Sequence, residues 1–157
     1  MTVDERRERL ALALQLERLF EAARDNNVPD RVKADLARHG CVLCSGYLEA
    51  LCRETLHNYV ARRAPADIVD IADSFASDFA NPRYDKLIAF FRKLSATKTA
   101  ALEAELDDTH SSAVGSVVSN RHNIAHGRSS SVNMAQVRDY FSRIRLLEKL
   151  VEKHFLT

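Results

Sequence analysis

The sequence predicts an all-α domain, an antiparallel up-and-down bundle of about five to six helices, and three observations carry that reading. Apolar residues recur three and four positions apart over long stretches. Runs of β-branched or aromatic residues alternating with period two, the material of strands, are almost missing. Only four Gly and three Pro occur in 157 residues, so few breakers interrupt the helical stretches. With 46% hydrophobic and 29% charged residues, this length suits one compact domain over residues 1–157 that buries roughly 70% of its unfolded surface.

A first helix is expected from Asp4 to about Asp25, where Leu12, Leu16, Leu19, Phe20 and Ala23 make one buried face and Asn26-Asn27-Val28-Pro29 ends it. A long second helix runs from Asp30 to about Arg63, bent or interrupted at His39-Gly40, and Pro65 stops it. A short third helix spans about Ala66 to Phe79. Asn81 as N-cap and Pro82 at the first helical position then start a fourth, whose core face is Leu87, Phe90, Phe91 and Leu94. Ser95 to Ser112 is the most polar interior stretch, a mobile connection or weak helix and the natural place for a substrate-facing loop. A fifth helix starts between Asp107 and Ser112 and ends at Gly127, which can take the left-handed conformation that closes helices. After the loop Arg128 to Ser131, a sixth helix from about Asn133 to Phe155 shows a seam of Val137, Tyr140, Ile144, Leu147, Val151 and His154.

The charges nearly cancel, with 23 Lys plus Arg against 22 Asp plus Glu, so a nucleic-acid partner must be held by a local patch. The basic clusters Arg6, Arg7, Arg9, then Arg62, Arg63, then Arg143, Arg145, Lys149, Lys153 read first as solvated faces and second as guides for an RNA backbone. The opening run Asp4-Glu5-Arg6-Arg7-Glu8-Arg9 lacks a basic region followed by an apolar h-region, and no stretch reaches the ~18 apolar residues of a membrane span, so a cytoplasmic location is expected. Cys41, Cys44 and Cys52 share a stripe with Leu48, Leu51 and Tyr59 and read as reduced core thiols.

The richest segment chemically is Arg121-His122-Asn123-Ile124-Ala125-His126-Gly127, which places an arginine, an amide and two imidazoles within one and a half turns. Val114, Val117, Val118, Arg121, Ile124 and Ala125 fall on one stripe, so Arg121 is expected inward, paired with an acidic side chain or facing a phosphate. His126 lies about 140° round the helix from Arg121, too far for the two to stack on one phosphate. A second copy of the motif across a two-fold axis could complete the constellation. As a last-turn residue His126 is favoured by the helix dipole as a cation, which raises its expected pKa above ~6.5. His122 stands four residues before it, so their rings can approach on one face.

Simpler roles compete with each of these. Arg121 could form a buried ion pair with Glu49, Glu49 a surface pair with Arg53, and His126 a helix cap. His122 and His126, or the Cys41/Cys44 CxxC, could ligate zinc, but that CxxC falls inside a predicted helix and no second pair follows, so no metal site is assigned. His39, His57, His110 and His154 carry no spacing that asks for chemistry.

The motif and its place before the final long helix resemble the HEPN superfamily, in which the Arg and His of an R-x4-6-H motif are the catalytic pair of metal-independent endoribonucleases and two protomers form one composite site. Here Arg121 and His126 match the pair and His122 the polar position after the arginine, while Asn123 falls where the family has no fixed role. Ser45-Gly46-Tyr47-Leu48-Glu49-Ala50-Leu51, Asn81-Pro82-Arg83-Tyr84-Asp85-Lys86-Leu87-Ile88 and the Ile-Ala-His-Gly ending resemble the RiboL-PSP-HEPN subgroup. Toxins paired with a nucleotidyltransferase antitoxin carry a Tyr two residues after the histidine, and this chain has Arg128 there, which argues against control by adenylylation.

The resemblance implies attack of an RNA 2′-OH on the adjacent phosphate, giving a 2′,3′-cyclic phosphate and a 5′-OH without metal or other cofactor. His126 would be the general acid or base, Arg121 would stabilise the phosphorane, and His122, Asn123 and Glu49 would support them. It implies RNA as substrate, a homodimer, and a toxin or defence effector with an antitoxin or defence-system partner. The competing implication is a HEPN-like module that binds RNA, nucleotide or protein without cleaving. A helical bundle with a fortuitous motif is the third reading.

Overall fold

The computed structural model describes residues 2–157, with side chains from Arg6 onward, so the side chains of Asp4 and Glu5 lie outside the described residues. Seven α-helices follow one another: α1 Thr2–Ala22, α2 Asp30–Ala61, α3 Ala66–Ala76, α4 Tyr84–Leu94, α5 Ala96–Glu105, α6 Asp108–Ala125 and α7 Met134–Val151. A π-helical turn, Glu152–Leu156, closes the chain. Among the described residues there is no strand, and no helix is long and apolar enough to cross a membrane.

The 32-residue α2 is the spine and touches α1, α3, α4, α6, α7 and the π-turn. Most of its middle is buried, from Cys41 through Cys44, Tyr47, Leu48 and Leu51 to Thr55, as expected of a central helix. The predicted interruption at His39-Gly40 does not occur. Gly40 is buried inside an unbroken helix because α7 comes so close there that a Cβ would stand 2.8 Å from Val137 Cγ1. The three thiols are free and buried as expected, and burial pushes Cys41 up to about 12 and raises Cys44 and Cys52 as well.

Of the two readings of the polar stretch after Ser95, the helix is the one that forms, as α5, because Ser95 Oγ accepts the Lys98 N–H and Thr99 and Leu102 are fully buried. It packs on α4, α7 and the π-turn, where Glu105 holds both Lys153 (2.7 Å) and His154 (2.8 Å), so it is a clamp on the C-terminus and not a substrate-facing loop. The fourth helix begins at Tyr84 instead of Pro82. Asn81 adopts the left-handed φ of 53° and its amide groups are engaged elsewhere, so it does not cap α4.

The charged clusters are mostly paired with neighbours. Arg53 reaches Glu8 on α1 and not Glu49, Arg63 lies over the Tyr59 ring, and Arg143 pairs with Asp139. His57, which the sequence singled out for nothing, joins Asp73 at 2.7 Å in a buried clasp between α2 and α3. α3 turns Ile68, Ile71 and Phe75 outward, and Phe75 borders an apolar groove of ≈ 570 Å³ with Phe79 and Phe90.

Arg9 is the largest correction: expected on a solvated face, it is 4% exposed at the crossing of α1, α2 and α7. Its guanidinium pairs with Glu54 on α2 (2.6 Å) and with Glu148 on α7, and donates to Tyr47 Oη (3.2 Å). Arg145 completes the cluster through Tyr47 Oη (2.7 Å) and Glu148 (3.0 Å). Removing Arg9 would leave two buried carboxylates facing each other. Denaturant unfolding of Arg9→Ala is expected to show a loss of about 3–5 kcal/mol, whereas a loss below about 1 kcal/mol would return Arg9 to an ordinary surface role.

Candidate functional site

The motif is delivered by α6, whose two ends are each closed by a defined cap. At the start, Asp107 accepts the Thr109 N–H (2.9 Å) while its own N–H donates to His110 Nδ1 (3.2 Å), and the Thr109 hydroxyl and N–H pull the Asp107 carboxyl down to about 2. At the far end Gly127 takes φ 65°, its N–H donates to Ile124 O (3.1 Å), and the Arg128 N–H donates to Asn123 O (2.8 Å). Those two bonds and the left-handed glycine make a Schellman motif. His126 is therefore the C-cap residue, and its imidazole is exposed at the point where the backbone reverses. Beyond it, Ser130 donates to Asn120 Oδ1 (2.7 Å) and Asn120 donates to Ser116 O (2.8 Å), which pins the following loop against α6.

Val114, Val117 and Val118 are buried and seat α6, but the stripe thins beyond them. Arg121 and Ile124 are half-buried and Ala125 is exposed, so Arg121 stands at the rim of the core and not in its middle. Its guanidinium donates to Asn81 Oδ1, and Asn81 in turn donates its backbone N–H to Glu49 Oε1 at 2.9 Å. The expected Arg121–Glu49 ion pair is thus replaced by a relay in which a neutral amide separates the two charges. The left-handed backbone of Asn81 directs its N–H and its side chain to these two partners, and asparagine is among the few non-glycine residues that enter this region readily.

His122 and His126 meet as expected, with ring centroids 4.4 Å apart and both residues exposed. Asn123 enters through its backbone carbonyl in the helix cap. Two residues that sequence reasoning missed complete the site. Asn81 had been absorbed into a helix-start signal, and Arg83, two residues on, lines a cavity of ≈ 170 Å³ with Val118, Ser119 and His122. No spacing links them to the motif, because they lie some forty residues upstream and arrive by packing, Asn81 through its hydrogen bond with Arg121 and Arg83 at the shared cavity.

The face is cationic. His122 is held below its ordinary pKa by partial desolvation and then by the charges of His126, Arg128, Arg83 and Arg121. Among the described residues, Arg83, Arg121 and Arg128 have no carboxylate at ion-pairing distance. These surroundings favour the neutral form of His122, which is able to accept a proton. An NMR titration is expected to place the His122 midpoint under ~6.5, and Arg128→Ala to move it back up; a midpoint above ~6.5 would contradict the cationic surroundings described.

No curated protein and no solved structure matches the chain. The RiboL-PSP-HEPN family model matches residues 6–155, which takes in α2, the Asn81 turn, the whole of α6 and α7. With that match across nearly the entire chain and an all-α bundle that closes α6 on Arg121 and His126, the protein belongs to the RiboL-PSP-HEPN family of the HEPN superfamily.

Proposed function

We propose that this chain is a metal-independent endoribonuclease that cleaves RNA to 2′,3′-cyclic phosphate and 5′-OH ends, acting as a homodimer and serving as a toxin or defence effector under the control of a partner protein. The observation that carries the reading is an exposed pair of imidazoles in ring contact beside a guanidinium that no carboxylate neutralises. A chain that used Arg121 only to hold its fold would pair it in the core, as it pairs Arg9.

In the proposed reaction the 2′-oxygen loses its proton and attacks the adjacent phosphorus, and the 5′-oxygen leaves with a proton. His126 acts as general acid or base in this exchange, a role worth typically 10²–10⁴-fold. Arg121 neutralises charge developing on the non-bridging oxygens. His122 tunes His126 through their ring contact, Asn123 shapes the cap that presents His126, and Glu49 supports Arg121 through Asn81. Arg121 and His126 point to different sides of one helix, so a second copy of α6 across a two-fold axis would bring two such pairs around one phosphate.

The test is cleavage of total RNA in EDTA with end-group identification of the products. Arg121→Ala and His126→Ala are each expected to lose at least about 10²-fold in rate while keeping the wild-type melting temperature. Intact RNA with all proteins, but retained RNA binding, would favour a non-catalytic binding module.

The relay makes a second prediction. Asn81→Gly keeps the left-handed turn and removes only the amide that holds Arg121, so kcat is expected to fall about tenfold with KM and melting temperature unmoved. Asn81→Ala should show the same kinetic loss together with a backbone cost of about 1–3 kcal/mol. An Asn81→Gly enzyme with full activity would show that the contact does not position the arginine.

A further inference from the structure

The Asn81-Pro82-Arg83 turn does more than hold Arg121. Pro82 is buried while Arg83 is exposed, so the turn is anchored by its proline and presents the next side chain outward. That side chain walls the ≈ 170 Å³ cavity whose other lining residues are Val118, Ser119 and His122 of α6. The cavity is smaller than the about 300–1,000 Å³ of a pocket for a drug-sized ligand, a size that suits a small group such as a phosphate. Its lining thus combines one apolar residue, Val118, one hydroxyl-bearing residue, Ser119, and the cationic or hydrogen-bonding residues Arg83 and His122.

Arg83 is also out of place as a structural residue. It occupies the N-cap position of α4 without capping it, since that position has no side-chain hydrogen bond to the helix. It forms no ion pair among the described residues, whereas seven of the other sixteen arginines do. The acidic side chain closest in sequence, Asp85, lies in the first turn of α4, where the helix dipole favours it. Arg83 lines the same cavity as His122, and its charge, like that of Arg121, disfavours protonation of that imidazole.

We propose that Arg83, with Ser119, forms a second phosphate subsite that binds the phosphate next to the scissile one, so that the enzyme engages at least two consecutive phosphates of a single strand. Arginine suits this task because its planar fork meets two phosphate oxygens at once, and Ser119, which lines the same cavity, carries a hydroxyl donor. The subsite makes Arg83 a binding residue outside the reacting atoms. It gives the site direction along the strand, because the cavity lies on the His122 side of the motif.

This inference rests on the ribonuclease reading, and a binding experiment separates the two. The probe is a short single-stranded RNA with 2′-O-methyl riboses, which removes the attacking hydroxyl and cannot be cleaved by the proposed route. Its affinity for wild type, Arg83→Ala and Arg83→Lys is measured by fluorescence anisotropy between 50 and 200 mM salt. Arg83→Ala is expected to bind more weakly and to show a salt slope shallower by about 0.7, the value for one lost phosphate contact on a single strand, so that its deficit narrows about 2.5-fold over that range. Arg83→Lys should keep the slope, since the charge remains, and lose part of the affinity. An unchanged slope in Arg83→Ala, or no binding of the probe by wild type, overturns the subsite. If wild type binds the probe with the Arg83-dependent slope but leaves unmodified RNA intact, the subsite stands and the ribonuclease reading fails.

Discussion

The bundle is organised around one buried cation. Arg9 is withdrawn from water where α1, α2 and α7 cross, and the desolvation of a guanidinium is tolerable only because Glu54 and Glu148 reach it from two other helices. Apolar contacts alone would let helices slide or rotate with little change in energy. A two-ended ion pair with a tyrosine hydroxyl shared between Arg9 and Arg145 is satisfied at one rotation and one height of each helix. Since α2 carries Glu49 and packs on α6, the placement of the motif follows from that arrangement through the spine.

The rest of the charge is distributed in a way that gives a nearly neutral protein a cationic face. Arg53, Arg92, Arg143 and Lys153 are each matched to a carboxylate, which cancels their fields at short range. Around the end of α6 that matching stops. Glu49 is the nearby acid, and it is occupied by a backbone N–H instead of a guanidinium. The net charge of +1 therefore hides a local concentration of positive potential that no sum over the sequence reveals.

Much of this was legible from the sequence because helical periodicity is a local signal. The stripes of α1, α2, α4 and α7, the Asp107 and Asn133 starts and the Gly127 stop are all written within a few residues of where they act. The meeting of His122 and His126 was legible for the same reason. Arg9 and the role of α5 were misread because a charged or polar residue looks solvated until its partners are known, and those of Arg9 are 45 and 139 positions away. Asn81 and Arg83 were missed because Asn-Pro is a good helix start by local rules, and only packing against α6 diverts the asparagine. The site was thus readable where one helix carries it and unreadable where a turn from elsewhere joins it.

The burial of Cys41, Cys44 and Cys52 has a consequence beyond packing. A thiol that water cannot reach and that stays protonated far above neutral pH does not react with alkylating or disulfide reagents while the bundle is closed. All three lie on the spine helix, within its most enclosed section. Their modification requires opening of the central contacts, so the rate at which the native chain takes up a thiol reagent is a clock for that opening. The same silence leaves the surface free for one introduced cysteine to carry a probe without altering the protein's own.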